Sequence, residues 1–324
     1  MFKSFEQFSV YICYLNQYNQ MVLMAAYSIR DLERLSGIKA HTIRIWEKRY
    51  GLIEPRRTTT NIRTYCDSEL KKILNVSILN RNGLKISKIA RMSSQEITDQ
   101  IGRITHFMPD AQSQIEGLTV AMIDFDESRF EKIMARSVIQ LGFEDTIMKI
   151  IYPFFVKIGL MWQTGSVNPA QEHFVTNLVR QKIMVAIDNL FNAESAPAKH
   201  FLFFLPEGEW HELGILFFAY LAKKRGCQIV YLGQSVPMVD LAELLRSRSF
   251  DGLVTSFVSS ISSDDVQEYL KTLSEATGAI PVFISGFQVE HHEKSLPPHV
   301  TVIASPAHFI EVLEKSGEPV IGNR

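Results

Sequence analysis

The stretch Pro206-Glu-Gly-Glu-Trp-His211-Glu-Leu-Gly214 lies between the apolar run Phe201–Leu205 and the helical run Ile215–Ala222. A buried strand, a polar loop and a helix in this order place the loop at the carboxyl end of a strand, where ligands bind in open α/β sheets. The loop contains one histidine, the commonest metal ligand, and a carboxylate two residues earlier that could hold its second ring nitrogen. The glycine that ends it would allow backbone or ligand to approach closely. The pattern predicts a ligand site, with a structural or merely exposed histidine as the alternative.

Apolar segments alternate with helical stretches through the C-terminal part of the chain. These segments are Phe201–Leu205, Ile229–Leu232, Leu253–Phe257, Val282–Ile284 and Val300–Ala304. Alternating strands and helices favour a parallel sheet, because parallel neighbours need a crossover connection. We therefore predict an α/β domain with a flavodoxin-like, Rossmann-like parallel sheet over residues 199–324.

Read as Glu209-x-His211-x-x-Gly214, the loop resembles the cobalamin-binding signature Asp-x-His-x-x-Gly. The second element of that family, Ser-x-Leu, corresponds to Ser256-Phe257-Val258 after a spacer of 41 residues, and its Gly-Gly pair corresponds to Gly286-Phe287. The resemblance implies that His211 is the lower axial ligand of cobalt and that Glu209, Gly214, Ser256 and Gly286 help to bind the cofactor. Three departures separate this chain from the family pattern: Glu209 for Asp, Val258 for Leu and Phe287 for the second glycine.

The composition indicates a globular, soluble protein with room for two or three domains, since 46% of its 324 residues are hydrophobic and 21% are charged. It has no run of eighteen apolar residues, so we expect neither a transmembrane helix nor a membrane partner. Cys13, Cys66 and Cys227 are scattered and odd in number, which favours a reducing, cytoplasmic location over a disulfide framework. Residues 1–26 are interpreted as an N-terminal extension without a targeting role.

The charge is unevenly distributed along the chain. Residues 27–95 hold fifteen Lys and Arg against six Asp and Glu, a balance of +9, so the remainder carries −10. Within this basic segment, Ser28-Ile-Arg-Asp31 predicts the capped start of a helix over Ile29–Leu35, and Gly37 predicts a turn before a second helix over Ala40–Arg49. Two short helices joined by a glycine turn indicate a helix-turn-helix, and the charge excess favours contact with nucleic acid.

On the second helix, Ile43, Trp46 and Tyr50 are spaced to face the core, whereas His41, Arg44 and Lys48 share another face that would enter a major groove. The segments Pro55–Arg57 and Asn61–Tyr65 predict a two-stranded wing along the phosphate backbone, and a helix follows from Asp67 to about Asn82-Gly83. The residues expected to contact DNA are His41, Thr42, Arg44, Lys48, Arg56, Arg57, Arg63 and Tyr65.

The whole N-terminal block resembles the DNA-binding domain of the MerR family. The resemblance rests on Tyr27-Ser-Ile, Thr42-Ile-Arg44, Trp46-Glu47, Arg56-Arg57, Arg63 and Tyr65. It implies a winged helix-turn-helix over residues 27–95 that binds a double-stranded DNA operator.

The middle of the chain predicts a linker over residues 96–117 and a four-helix-type bundle over 118–193. Asn168-Pro169 predicts the start of a helix, with Glu172 and His173 in its first turn and Trp162 near the end of the preceding helix. This spacing resembles the light-responsive, cobalamin-dependent repressors of the MerR family, of the CarH and LitR type. That resemblance implies that the bundle covers the upper face of adenosylcobalamin, that Trp162 packs on the adenosyl group, and that His173 reaches cobalt after light removes this group.

These observations together predict a DNA-binding transcriptional regulator and not an enzyme. The resemblance implies a repressor controlled by adenosylcobalamin and light through a change between dimers and tetramers. One alternative is a regulator of the same architecture that has lost cobalamin binding and responds to a partner protein. The departures from the family pattern at Glu209, Val258 and Phe287 favour this alternative. A corrinoid methyl carrier or mutase subunit is the other alternative, but neither has a use for the basic N-terminal block.

Overall fold

The structure, a computed structural model, describes residues 27–57, 61–107, 110–163, 167–190, 199–258, 263–286, 288–289 and 296–315. The proposed extension at residues 1–26 and the departure at Phe287 lie outside the described residues. The chain divides into two compact units between Val175 and Thr176, and each unit is described by itself. Within the described ranges, no helix combines the length and the apolar character needed to cross a membrane.

The first unit begins with the predicted helix-turn-helix. Helix α1 (Ile29–Ser36) starts with a capping box, in which the Asp31 amide donates to Ser28 Oγ and the Ser28 amide donates to the Asp31 carboxylate. Gly37 ends this helix in the left-handed region, at a φ of 72°, which favours glycine. Helix α2 (Ala40–Tyr50) follows. The two short helices and the glycine turn are thus confirmed.

The predicted wing is also present, as a short antiparallel pair. Strand β1 (Arg56–Arg57) pairs with β2 (Arg63–Thr64), so that Arg57 lies opposite Arg63. The wing returns to the core through Tyr65, whose backbone exchanges hydrogen bonds of 2.7 and 2.9 Å with Tyr27. Helix α3 (Asp67–Arg81) then begins where the sequence predicts it.

The remainder of the first unit is helical. The elements are α4 (Ile86–Ile89), α5 (Ser94–Phe107), α6 (Ala111–Asp124), α7 (Glu127–Leu141), α8 (Phe143–Thr146), a π-helical turn (Ile147–Ile151), α9 (Tyr152–Gln163) and α10 (Pro169–Asp188). Helix α6 packs against α7 and α9, as expected for a bundle. Helix α10 continues past Thr176 into the second unit.

The prediction of a linker over residues 96–117 is wrong, because α5 and the first half of α6 occupy this span. Two polar side chains of α6 in this span are buried and paired. Gln114 is bonded by the Ser137 hydroxyl, and the fully buried Glu116 accepts from Arg81 Nη2 at 2.6 Å and from Gln112 Nε2 at 2.9 Å. Since Arg81 lies at the end of α3, this ion pair joins α6 to a helix of the DNA-binding block.

The second unit is built on a five-stranded parallel sheet. Its strands are β3 (His200–Pro206), β4 (Gln228–Val236), β5 (Gly252–Ser256), β6 (Val282–Ser285) and β7 (Val300–Val302). The order across the sheet is β4-β3-β5-β6-β7, so β3, the first strand of this sheet along the chain, lies second, and every pair is parallel. This is the flavodoxin-like arrangement that the sequence predicts.

Four helices connect or follow these strands: α11 (Leu213–Lys224), α12 (Met238–Ser247), α13 (Ser263–Thr277) and α14 (Pro306–Lys315). Strands β3 and β5 are buried along nearly their whole length, which explains why they read as continuous apolar runs in the sequence. On one face of the sheet, Phe309 of α14 packs against Phe203 and Phe218, with ring centroids 6.5 and 4.9 Å apart. These contacts pack α11 and α14 together and hold α14 against β3.

Candidate functional site

The histidine loop follows β3, and the segment Phe257-Val258 follows the neighbouring strand β5. The connection after β3 leads to β4 on one side, whereas the connection after β5 leads to β6 on the other. In an open α/β sheet, ligands bind at this point, where the strand order reverses, outside the carboxyl ends of the strands. The predicted site therefore lies at the ligand-binding position of its fold.

Glu209 holds the imidazole of His211 within the loop. Its Oε1 lies 2.5 Å from His211 Nδ1 and also accepts from the backbone amides of Trp210 at 2.9 Å and His211 at 3.1 Å. Because an ionised carboxylate only accepts hydrogen bonds, this contact assigns the ring proton to Nδ1 and the lone pair to Nε2. That tautomer suits metal binding through Nε2, with the second nitrogen held by a carboxylate.

The second oxygen of Glu209 joins the two loops of the site. Oε2 accepts from the backbone amide of Val258 at 2.8 Å, and the side chain of Glu209 is almost fully buried. The departures Glu209 and Val258 are thus compatible with the site, since the longer carboxylate reaches both the imidazole and the next loop. Val258 contributes through its main chain, which does not depend on a leucine side chain.

A second buried carboxylate follows the histidine. The Oε1 of Glu212 is bonded by the Arg180 guanidinium from α10, and its Oε2 accepts from the Tyr231 hydroxyl of β4 at 2.9 Å. Burial, together with the adjacent charge of Glu212, raises the pKa of Tyr231 well above its usual range, so the hydroxyl stays protonated and donates. This group of three is not predictable from local patterns, because nothing in the sequence links Glu212 to partners 32 residues before and 19 residues after it.

The three remaining sheet-domain residues of the predicted site differ in their surroundings. Among the described residues, a Cβ at Gly214 would meet no heavy atom within 4 Å outside its own helix backbone and its chain neighbours, so none of these atoms explains the glycine. Gly286 is constrained by the protein itself, because its φ is 107° and a Cβ at this position would overlap the Phe257 carbonyl oxygen. Ser256 is buried, and its hydroxyl donates to the Ser285 carbonyl at 3.2 Å.

Two buried hydroxyls beside the site have no hydrogen-bond partner among the described residues. They belong to Thr255 on β5 and to Tyr269 on α13. The ring of Tyr269 packs against Phe257 at 5.5 Å, and burial, reinforced by the charge of Glu207 in the histidine loop, raises its pKa. Since buried polar groups in proteins are normally bonded, these hydroxyls are suited to a polar ligand next to the loop.

In the first unit, the structure brings Glu172 and His173 together in the first turn of α10. Glu172 is buried, and its Oε2 lies 3.4 Å from Nδ1 of the exposed His173. The Asn168 side chain accepts from the Ala170 amide at 2.9 Å, which confirms the predicted helix start at Pro169. Trp162 lies in the last turn of α9, but its side chain is outside the described residues.

The predicted DNA-reading face of α2 is exposed to solvent. His41, Arg44 and Lys48 line this face, with Thr42 half-buried beside them, whereas Ile43 and Trp46 on the other face are buried. In the wing, Arg56 and Arg57 are exposed, and Arg57 donates to Asn61 Oδ1 at 2.6 Å. The exposed cations of α2 and of the wing make this part of the surface basic, which suits contact with a phosphate backbone.

Two of the residues predicted to contact DNA also support the domain. Arg63 is half-buried and donates to Glu47 Oε1 at 3.3 Å. Tyr65 is only 1% exposed, and its hydroxyl donates to Glu47 Oε2 at 3.2 Å, while burial and the Glu47 charge raise its pKa to about 12. The prediction of a DNA contact for Tyr65 is therefore wrong for its side chain, which instead joins the wing to α2.

Comparison with known proteins identifies two domains in the chain. Residues 27–96 match the MerR HTH family regulatory protein model, and residues 114–186 match the B12 binding domain model. The second match begins inside the span that was predicted as a linker, in agreement with the buried helix α6.

Two curated relatives extend over most of the chain. The HTH-type transcriptional repressor CarH of Myxococcus xanthus is 28% identical over 276 residues, which cover 82% of this chain and 91% of that protein. CarA, a second repressor of the same organism, is 24% identical over 271 residues, covering 83% and 89%.

A solved structure, the monomethylamine corrinoid protein of Methanosarcina barkeri, superposes with a TM-score of 0.51 at 17% identity, covering 64% of this chain and all of that chain. At this identity the superposition shows a shared fold alone. The chain thus combines a MerR-type helix-turn-helix domain with a B12-binding domain, and over most of its length it is similar to CarH-type repressors.

Proposed function

We propose that this protein is a transcriptional repressor whose binding to a DNA operator is controlled by adenosylcobalamin. The observation that carries the proposal is the Glu209–His211 pair at the ligand-binding end of the sheet, in a chain that also has a MerR-type domain with an exposed basic face. The relatives CarH and CarA are repressors by name, which supports the same direction of control.

The residues of the loop fit a corrinoid. One imidazole, with its proton held on Nδ1 by Glu209, suits a metal that needs a single axial ligand from the protein. The open space at Gly214 and the two unpartnered hydroxyls of Thr255 and Tyr269 suit a large polar group packed against the same loops. When bound, adenosylcobalamin would supply a cobalt–carbon bond that light breaks.

In this proposal each group of residues has one task. His211 would hold the cobalt, Glu209 would orient the imidazole, and Gly214, Ser256 and Gly286 would shape the loops around the cofactor. The binding of the cofactor's upper side by Trp162, Glu172 and His173 stays a prediction from the family resemblance. On α2, the residues that contact the DNA in the major groove are His41, Thr42, Arg44 and Lys48. In the wing, the phosphates are neutralised by Arg56, Arg57 and Arg63.

Control of operator binding by the cofactor and by light requires two states of the protein that differ in their contacts with the cofactor. We propose that these states are the dimer and the tetramer, as in the family that the sequence resembles. A regulator that has lost cobalamin is the first alternative. A corrinoid carrier is the second, favoured by the fold of the Methanosarcina protein, but it would leave the MerR-type domain without a use.

The proposal is tested by titrating the purified full-length protein with adenosylcobalamin in the dark and recording absorbance spectra before and after illumination. The wild-type protein should bind the cofactor and change its spectrum on illumination, and His211→Ala should bind it roughly 10–100-fold more weakly. The matched control is His200→Ala, which removes an exposed histidine from the opposite end of β3. An unchanged spectrum on mixing with the wild type would contradict the proposal.

Gly214→Ala provides a second readout. Because an added Cβ meets no protein atom and alanine favours helices, the free energy of unfolding without cofactor should stay the same or rise slightly. Cobalamin affinity should fall if the cofactor occupies that space. Equal affinity for the wild type and this variant would remove Gly214 from the cofactor-binding residues.

A further inference from the structure

Glu212 occupies an unusual position for an acidic residue. It immediately follows His211 and is the N-cap of α11, but its side chain makes no capping hydrogen bond. Acidic side chains at such positions are ordinarily stabilised by the amides and the dipole of their own helix. Here the carboxylate is buried, and both its oxygens are bonded by residues from other elements.

Those partners come from the two elements beside the loop. Arg180 on α10 contacts Oε1, and the Tyr231 hydroxyl on β4 donates to Oε2. Removing a buried carboxylate from water is costly unless it is paired and bonded, and Glu212 meets both conditions. The pairing fixes the main chain at the point where the histidine loop becomes a helix.

We propose that Glu212, Arg180 and Tyr231 form a positioning network that holds the backbone of His211 in place for binding cobalt. This inference rests on the proposed function. The two carboxylates that flank the histidine have separate tasks: Glu209 orients the ring through Nδ1, and Glu212 anchors the main chain that carries the ring. Both are needed, because the position of Nε2 depends on the ring torsion and on the place of the Cα atom.

The test compares Glu212→Gln with Glu207→Gln in the full-length protein, loaded with adenosylcobalamin in the dark. Both variants remove one negative charge from the same loop, but Glu207 is exposed, whereas Glu212 is buried and bonded. The readouts are the dissociation constant and the nitrogen hyperfine splitting in the EPR spectrum of the cobalt(II) form, compared between unlabelled protein and protein labelled with ¹⁵N-histidine. A change in the splitting on labelling reports ligation by the protein's imidazole, because the nitrogen of the cofactor's own base is unlabelled. Glu212→Gln should raise the dissociation constant roughly tenfold and reduce the histidine-ligated fraction, and Glu207→Gln should change neither by more than about twofold.

Two further variants keep the test decisive if Glu212→Gln folds poorly. Tyr231→Phe removes one hydrogen bond and should raise the dissociation constant about threefold. Arg180→Gln leaves the carboxylate buried without its cation, and adding Glu212→Gln should partly restore its binding, because an amide needs no cation.

The outcomes separate this inference from the proposed function. If His211→Ala loses the change in splitting on labelling while Glu212→Gln and Tyr231→Phe bind and ligate as the wild type does, the positioning network is overturned and the cofactor site stands. If His211→Ala retains the wild-type change on labelling, ligation by His211 itself fails, and the positioning role fails with it.

Discussion

The histidine loop and the predicted DNA-contacting surface, which consists of the exposed face of α2 and the wing, use charged residues in opposite ways. In the loop, Glu209 and Glu212 are 2% and 4% exposed, and all four carboxylate oxygens are bonded. On the predicted DNA-contacting surface, Arg44 and Arg56 are exposed. Binding to phosphates depends mainly on the number of cations that reach the backbone, which long side chains can achieve from solvent. Holding one nitrogen for a metal demands a fixed position, and burial with paired hydrogen bonds supplies it.

The largest effect is expected when the buried anchor of the loop is removed. Glu209→Ala leaves the Val258 amide and the His211 ring without their acceptor in a buried site, so the free energy of unfolding should fall by roughly 3–5 kcal/mol. Urea unfolding of the protein without cofactor measures this loss. The control Glu207→Ala, at an exposed position of the same loop, should stay within about 0.5 kcal/mol of the wild type. Equal losses for both variants would refute the difference between buried and exposed charges.

An intermediate effect on the free energy of unfolding is expected at Lys157, a buried lysine. Lys157 on α9 is 8% exposed, its ammonium has no hydrogen-bond partner among the described residues, and burial lowers its pKa to about 8 despite the opposing charge of Glu116. Arg81 lowers the pKa further. Below pH 8 the folded protein must bury a charged ammonium, whereas the unfolded chain keeps its lysine protonated up to about pH 10.4.

The unfolded state therefore binds more protons between pH 8 and about 10, and the contribution of Lys157 to stability rises with pH in this window. Lys157→Met should raise the free energy of unfolding at pH 7 by roughly 2–3 kcal/mol and remove this rise, because methionine fills the same space without a charge. Urea unfolding at about pH 7, 8.5 and 9.5 tests both statements. An unchanged or lower stability at neutral pH would show that Lys157 gains more from the Glu116 charge than its burial costs.

The smallest effects on stability, and moderate effects on binding, are expected on the exposed surface. Arg44→Ala should leave the unfolding free energy within about 0.5 kcal/mol of the wild type, but weaken operator binding by roughly 1–3 kcal/mol if the side chain contacts a base. Arg49→Ala is the control, because Arg49 lies on another face of α2 with its guanidinium 5.4 Å from the Tyr50 ring centroid. Gel shifts at several salt concentrations measure the affinities. A loss below a few tenths of a kcal/mol for Arg44→Ala would place it outside the interface.

Local patterns predicted most of the elements. The capping pair Ser28 and Asp31, the turn at Gly37 and the apolar runs of β3 and β5 each act over a few residues, so their structure follows from nearby chemistry. The linker prediction failed because Gln114 and Glu116 are polar residues of the kind found in linkers, but here they are buried and bonded by residues of other helices.

The amino-acid sequence alone established the helix-turn-helix, the alternating strands and helices, and the spacing that marks His211 as a candidate ligand. The folded chain alone decided that Glu209 reaches Val258, that Glu212 is bonded by Arg180 and Tyr231, and that Tyr65 supports the wing from inside. Caps, turns and periodicity depend on neighbours along the chain. The partner of a buried carboxylate depends on which segments the fold brings together, and such a pairing leaves no mark on the residues between them.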